Sequence, residues 1–348
     1  MPTNLDSMLG ESLHRQAEAG TPVDPALLLD SARSQGQRLR RGRRLAVTGG
    51  AFVATVAIAT GVATLPGGSD RAAPAPGTAL PSTVASEPAG GVVRMPAAGQ
   101  PGALARPDLV GTDPAVLHFS VDDMIGAAKS VKWTSARDLE SVEIDRTDSA
   151  SALVVVARRK EDFGQSRSSD AESVVVQGRT GTLATIRGNA GNFIVTWSPG
   201  AGFWAEVMVY GTTREEAVRT AEAVRFDRST SCVVPLRLTA MPAGMAVQQC
   251  SVTLNADGFE GAGLWVGDQH RYAWFDAAPK GSPKFKPTLT VGPHRVLNAQ
   301  DTWLFTDGPY LLTLNTAVGG GGPISQSAAR TLVAGSRTVG EPDDPATW

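Results

Sequence analysis

Apolar and polar positions divide this chain into segments of different texture. Leu45 to Leu65 reads LAVTGGAFVATVAIATGVATL, 21 residues without a charge. At a rise of about 1.5 Å per residue, such a run crosses a hydrocarbon core of about 30 Å as a single helix. Thr48, Thr55, Thr60 and Thr64 can bond back to helix carbonyls and so are tolerated in lipid, and Pro66-Gly67-Gly68 stops the helix. Upstream, Leu5, Leu9 and Leu13 share one helix face. Gly20, Pro22 and Pro25 break that pattern, and Asp24-Pro25 caps a second piece carrying Leu27, Leu28 and Leu29.

Residues 66–113 carry Pro66, Pro74, Pro76, Pro81, Pro88, Pro96, Pro101 and Pro107 among Ala, Gly and Ser, the texture of a disordered, semi-extended linker. From residue 114 the β-branched and aromatic residues return. Ser120-Val121-Asp122-Asp123 predicts a short helix carrying Met124, Ile125 and Ala128. Strands are predicted around Val142 and Ile144, at Leu153 to Ala157, Thr182 to Ile186, Phe193 to Trp197 and Phe203 to Tyr210, the last two joined by Pro199-Gly200-Ala201-Gly202. Thr213-Arg214-Glu215-Glu216 opens a helix that places Ala217, Ala221 and Val224 on one face.

The second half repeats this order loosely. Val233 to Thr239, Val247 to Leu254, Leu289 to Val296 and Trp303 to Phe305 read as strands, with a return strand Tyr310 to Leu314 after Asp307-Gly308-Pro309. A helix follows around Ser327 to Ala334, where Ala328-Ala329-Arg330-Thr331 echoes Ala217-Val218-Arg219-Thr220. The expected fold class is α+β: a strand-rich extracytoplasmic domain of two loosely repeated β-hairpin-plus-helix units, preceded by one transmembrane helix. The expected divisions are a tail at 1–44, the span at 45–65, the linker at 66–113, units at 114–228 and 229–340, and a C-terminal tail at 341–348.

Charge sets the direction of the span. The formal net charge is only −2, yet Arg38, Arg40, Arg41, Arg43 and Arg44 crowd its amino end. The positive-inside rule therefore places 1–44 in the cytoplasm and the rest beyond the membrane. Arg43-Arg44 before an apolar run also invites the alternative of a cleaved export signal, although Val62-Ala63-Thr64 makes a poor cleavage box. Without a basic surplus, nucleic acid is not an expected partner. The expected partners are the bilayer through 45–65, a protein or envelope ligand outside, and a cytoplasmic partner for 1–44.

Candidate chemistry is sparse. Cys232 and Cys250, the only cysteines, fall on the outer side, where disulfides persist. Closing that loop is worth about 3 kcal/mol; the alternative is two separate buried thiols. In a hairpin centred near 242–243, Cys250 stands about three positions out of register with Cys232, so a bond requires a bulge, a longer loop or a diagonal crossing. His14, His118, His270 and His294 show no metal-ligand spacing, and no G-x-S-x-G run is present. Asp122 with Asp123, and Glu215 with Glu216, are carboxylate pairs explained by helix starts. Gly319 to Gly322 precedes a helix but lacks the lysine of a phosphate-binding loop. Trp197, Trp204, Trp265, Trp274 and Trp303 fall in or near strands and read as core or sheet-surface packing, or as an aromatic groove. No catalytic, cofactor-binding or metal residue is assigned.

Met241-Pro242-Ala243-Gly244-Met245, the strand ending in Trp197, the turn at Gly202 and the helix from Glu215-Glu216-Ala217 to Val224 carry a resemblance. Over residues 150–340 the chain resembles the C-terminal domain of anti-sigma and sporulation-type membrane proteins, and its layout is similar to actinobacterial single-pass proteins that accompany extracytoplasmic-function sigma factors. The resemblance implies an envelope-signalling role. Residues 1–44 contain no cysteine and so lack the His-x-x-x-Cys-x-x-Cys motif of the zinc-binding members. The expectation is a membrane-anchored, non-enzymatic sensor or interaction protein; the alternative is an envelope enzyme or ligand carrier whose site is not visible in sequence.

Overall fold

Alternation of buried and half-exposed positions runs along nearly every element of the computed structural model. It describes residues 92–348 apart from 147–149, 164–169, 187–190, 269, 282–284, 319–321 and 342–343. In chain order the elements are β1 (Val116–Leu117), β2 (Ala128–Ala136), β3 (Leu139–Arg146), β4 (Ser151–Ala157), β5 (Glu172–Val176), β6 (Arg179–Thr185), β7 (Phe193–Gly200), β8 (Phe203–Tyr210), α1 (Arg214–Glu222) and β9 (Thr230–Ser231). They continue with β10 (Leu236–Leu238), β11 (Ala246–Asn255), β12 (Gly258–Gly267), β13 (Tyr272–Pro279), β14 (Leu289–Val291), β15 (His294–Ala299), β16 (Thr302–Asp307), β17 (Tyr310–Val318), α2 (Gln326–Ala334) and β18 (Ser336–Thr338).

Among the described residues, fourteen strands form one antiparallel sheet in the order β14-β15-β16-β17-β13-β12-β11-β2-β3-β4-β8-β7-β6-β5. The seam is β2 against β11, with Thr134 opposite Ser251. Read outward from this seam, both sides run through the same sequence of elements. Each has a three-strand meander, then a four-strand meander whose last strand returns to the third, then a helix. The short strands follow the same plan, since β1 pairs with β9 and β10 with β18.

The helices cover one face, here called inner. Thr213 caps α1 by accepting the Glu216 N–H, and Ser325 caps α2 by accepting that of Ala328. Ala217 and Ala221 of α1, and Ala329, Leu332 and Val333 of α2, are buried at helical spacing. Beneath them lie the largest sealed side chains: Trp197, Phe203 and Phe226 in the first half, Phe275, Trp303, Phe305 and Tyr310 in the second. Burying each such ring stabilises the fold by about 1.5–3 kcal/mol. On the outer face of the first half a smaller apolar cluster gathers Val155, Ile194 and Met208 under Phe163.

Several expectations are corrected. Residues 92–113, read as linker, are tied down: Val92, Met95, Ala103 and Val110 are buried, and Ala97 bridges Thr230. Residues 341–348, read as a tail, end in Trp348, which rests on Phe259 and donates from Nε1 to the Glu341 carbonyl. The helix expected at Met124–Ala128 is a single 3-10 turn at Ile125–Ala127, because Ala128 already enters β2. Leu289 to Val296 is two strands, not one, turned by Gly292 at φ +55°. Val233–Thr239 and Val247–Leu254 do not form a hairpin, since β10 pairs with β18 while β11 lies between β12 and β2. Among the described residues no helix is long and apolar enough to cross a membrane. The span expected at 45–65, the five arginines, the tail 1–44 and His14 all lie outside the described residues.

Candidate functional site

Cys232 and Cys250 are joined by a disulfide, with Cα atoms 6.1 Å apart. That separation suits the bond without backbone movement. The out-of-register problem disappears because the two cysteines are not hairpin partners. Cys232 follows β9, held by its N–H to the Ala115 carbonyl, while Cys250 lies in the seam strand opposite Ser135. The bond therefore ties the chain leaving the first half to the first long strand of the second. Both sulfurs are buried.

Beside the seam, β3 brings a carboxylate into the core. Glu140 shares the inward parity of Val142 and Ile144 and is fully buried. Its Oε1 accepts from the Gly111 N–H at 2.8 Å and lies 2.7 Å from His118 Nδ1; its Oε2 accepts the His118 N–H. Gly111 sits at φ +64°, and a Cβ there would meet the Asp138 backbone at 2.6 Å, so glycine is what allows this approach. Ser135 Oγ adds contacts to the carbonyls of Asp113 and Val116. These bonds compensate the burial of the carboxylate and clamp the 107–118 segment onto the sheet. His118 Nε2 is sealed without a hydrogen-bond partner among the described residues.

The outer face of the second half differs in chemistry. In β13, Phe275 and Ala277 point inward, so Trp274 and Asp276 point out. Cross-strand partners share a face, so Trp265 stands beside Trp274, Gly263 beside Asp276 and Gly267 beside Tyr272. Trp265 lies 6.0 Å from Trp274 and 6.2 Å from Tyr272, in edge-on and tilted arrangements. Gly263 leaves room for the Trp274 ring: a Cβ there would come within 2.1 Å of Cζ2. Burial pushes the Asp276 carboxyl up to about 6, against the pull of Lys132. Burial also raises the Tyr272 hydroxyl, reinforced by Asp268 and opposed by Arg137.

The remaining sequence candidates are dispersed. Asp123 meets Arg225 at 2.8 Å, and Glu216, at the start of α1, meets Arg146 and Arg219. His294 Nε2 contacts the Ser336 carbonyl beside Phe305, whereas His270 is exposed. Of Gly319–Gly322 only Gly322 is described. Among the described residues no group of three or more His, Cys, Asp or Glu could hold a metal. Trp197 and Trp303 belong to the inner core, while Trp204, Trp265 and Trp274 are half-buried on the outer face. Sequence reasoning passed over Glu140 and Asp276. Glu140 was legible from its parity with Val142 and Ile144; Asp276 occupies a polar position of its strand and carried no such mark.

No family model matches the chain, and neither does any curated protein. Among solved structures it is similar to the crystal structure of MucB, at 11% identity over 68% of this chain and 96% of that one, with a TM-score of 0.20. It is likewise similar to MucB in complex with MucA(peri), at 10% identity over 68% of this chain and 97% of that one, again with a TM-score of 0.20.

Proposed function

We propose that the chain is a single-pass envelope protein, anchored through Leu45–Leu65 with residues 1–44 in the cytoplasm, whose outer two-unit sheet serves as a non-enzymatic sensor or interaction module in envelope signalling. The buried Cys232–Cys250 disulfide carries the compartment part of this reading, because such bonds form and persist in oxidising surroundings. The five arginines before an uncharged 21-residue run support the orientation. The sheet supports the interaction role: its inner face is filled by α1 and α2, while its other face offers half-buried aromatic and charged side chains to a partner.

Cysteine labelling in intact cells tests the topology. Ser82→Cys is expected to react with a membrane-impermeant maleimide, and Ser12→Cys only after lysis. The native cysteines add no background while bonded. Labelling of both sites, or of neither, in unbroken cells would overturn the orientation. Crosslinking from the outer face, with identification of the captured protein, tests the interaction role.

A further inference from the structure

The two halves place one carboxylate each in the same cross-strand pair of the outer face. In the first half β4 and β8 pair Val155 with Glu206; in the second β13 and β17 pair Asp276 with Thr313. Both pairs stand three residues beyond the first inward residue after the hairpin turn, Phe203 in one half and Tyr310 in the other. In the first half the chain covers its own face. Phe163 joins the apolar cluster there, Lys160 Nζ sits 4.8 Å above the Trp204 ring, and Glu206 is buried with Thr196 Oγ1 at 3.2 Å.

Among the described residues, the second half has the same ingredients without the cover. Asp276 accepts no hydrogen bond from the described residues, and its oxygens are not among the unpartnered polar atoms sealed from solvent, so the carboxylate opens outward. Trp274 and Trp265 stand beside it, and no cation lies over either ring among the described residues. The charges facing this region are few. Lys132 of β2, which pulls on Asp276, stands opposite Glu143 of β3; Arg137 and Asp268 act on Tyr272, and Asp145, four strands from β13, accepts from Ser130. Strands β12 and β17 contribute uncharged Gly263 and Thr313, and Lys280 and Lys286, beyond β13, are exposed. The face therefore carries an unbalanced negative charge against aromatic rings, a combination that favours a cation with an apolar stem. It is one face of an antiparallel sheet, and such a face suits a polypeptide better than a small molecule.

We propose that the outer face around Trp274 and Asp276 docks a basic segment of a partner protein, with a lysine or arginine side chain over Trp274 and its charge on Asp276. This rests on the interaction reading above and names the chemistry of the partner.

Fluorescence anisotropy tests it with the full-length chain in detergent micelles and a labelled hexalysine peptide as probe. At pH 7.5 the wild type is expected to bind, and Asp276→Asn to bind about tenfold more weakly. Asp145→Asn, the same charge change on the same face, is expected to bind as the wild type does. Wild-type binding is expected to weaken when the pH falls from 7.5 to 5, and the Asp276→Asn protein to lack that dependence. Wild-type affinity in Asp276→Asn, an equal loss in Asp145→Asn, or a flat pH profile would each overturn the site. Should the variant fail to fold, the wild-type pH series still decides. A flat series alongside intact crosslinks to an outer partner would overturn this site and leave the interaction role standing.

Discussion

Glu140 holds His118 at two points, accepting the backbone N–H through one carboxylate oxygen and meeting ring Nδ1 through the other. A side chain on β3 thereby fixes both the path and the ring orientation of a segment 22 residues upstream. With Gly111 N–H as third donor, the carboxylate replaces the water it lost on burial.

Glu140→Gln is expected to destabilise the fold by about 2–4 kcal/mol, because the new amide turns an N–H toward donors already in place. Urea unfolding followed by circular dichroism would measure it. An unchanged midpoint would show that the 107–118 segment is held by its apolar contacts alone.

Replacing both cysteines, Cys232→Ala with Cys250→Ala, is expected to cost about 3 kcal/mol from the closed loop. The same loss should follow when the wild type is unfolded under reducing conditions, so the double variant should be insensitive to reductant. Thiol titration of the oxidised wild type after denaturation should find none.

Asp276 gives the stability a pH dependence of definite sign. Its folded carboxyl lies near 6, above the ordinary aspartate value of 3.8. The folded state therefore holds its proton more tightly, and this contribution is full below about pH 4 and lost as pH rises through 6. Asp276→Asn should raise stability at pH 7.5 by about 1–2 kcal/mol, allowing for partial exposure, and change little at pH 4. Denaturant midpoints at the two pH values would show it; a variant less stable at pH 7.5 would contradict the sign.

Gly263→Ala should displace the Trp274 indole, since the added Cβ falls 2.1 Å from Cζ2. A cost of about 1–3 kcal/mol and an altered near-ultraviolet dichroism signal are expected, with the far-ultraviolet spectrum retained.

The elements most legible in sequence were those whose pattern and punctuation agreed. Strand β8 matched its alternation of Phe203, Ala205, Val207 and Val209, and the first helix began at its Thr213 cap; the second, expected around Ser327, begins at Gln326 under a Ser325 cap. Strand β12 was not predicted: Gly258, Gly261, Gly263 and Gly267 interrupt its pattern, yet Gly263 and Gly267 admit neighbouring rings and backbone. Residues 92–113 were hidden by their prolines, although Val92, Met95 and Val110 supply enough apolar surface to anchor them. The false hairpin before Cys250 arose because the true partner of β10 is β18, about a hundred residues downstream, and no local pattern reports a distant ladder. At the outer face, Trp265 and Trp274 were visible as aromatics, but their meeting with Asp276 depends on register.

The central seam also sets a folding order. Within each half, successive strands are joined mostly by short loops, whereas Thr134 and Ser251 of the seam stand 117 residues apart. Loop closure over that distance is entropically costly, and distant contacts form slowly. The meanders of each half can form before these distant ladders, the seam among them with β1–β9 and β10–β18, so β2 and β11 face solvent as raw edges until the seam closes. During synthesis the first half emerges with that edge open, able to accept any passing strand, including the β11 of another copy. Exchange of halves between two chains would preserve every pairing of the monomer, and diluting the chain during refolding is the condition that favours closure upon itself.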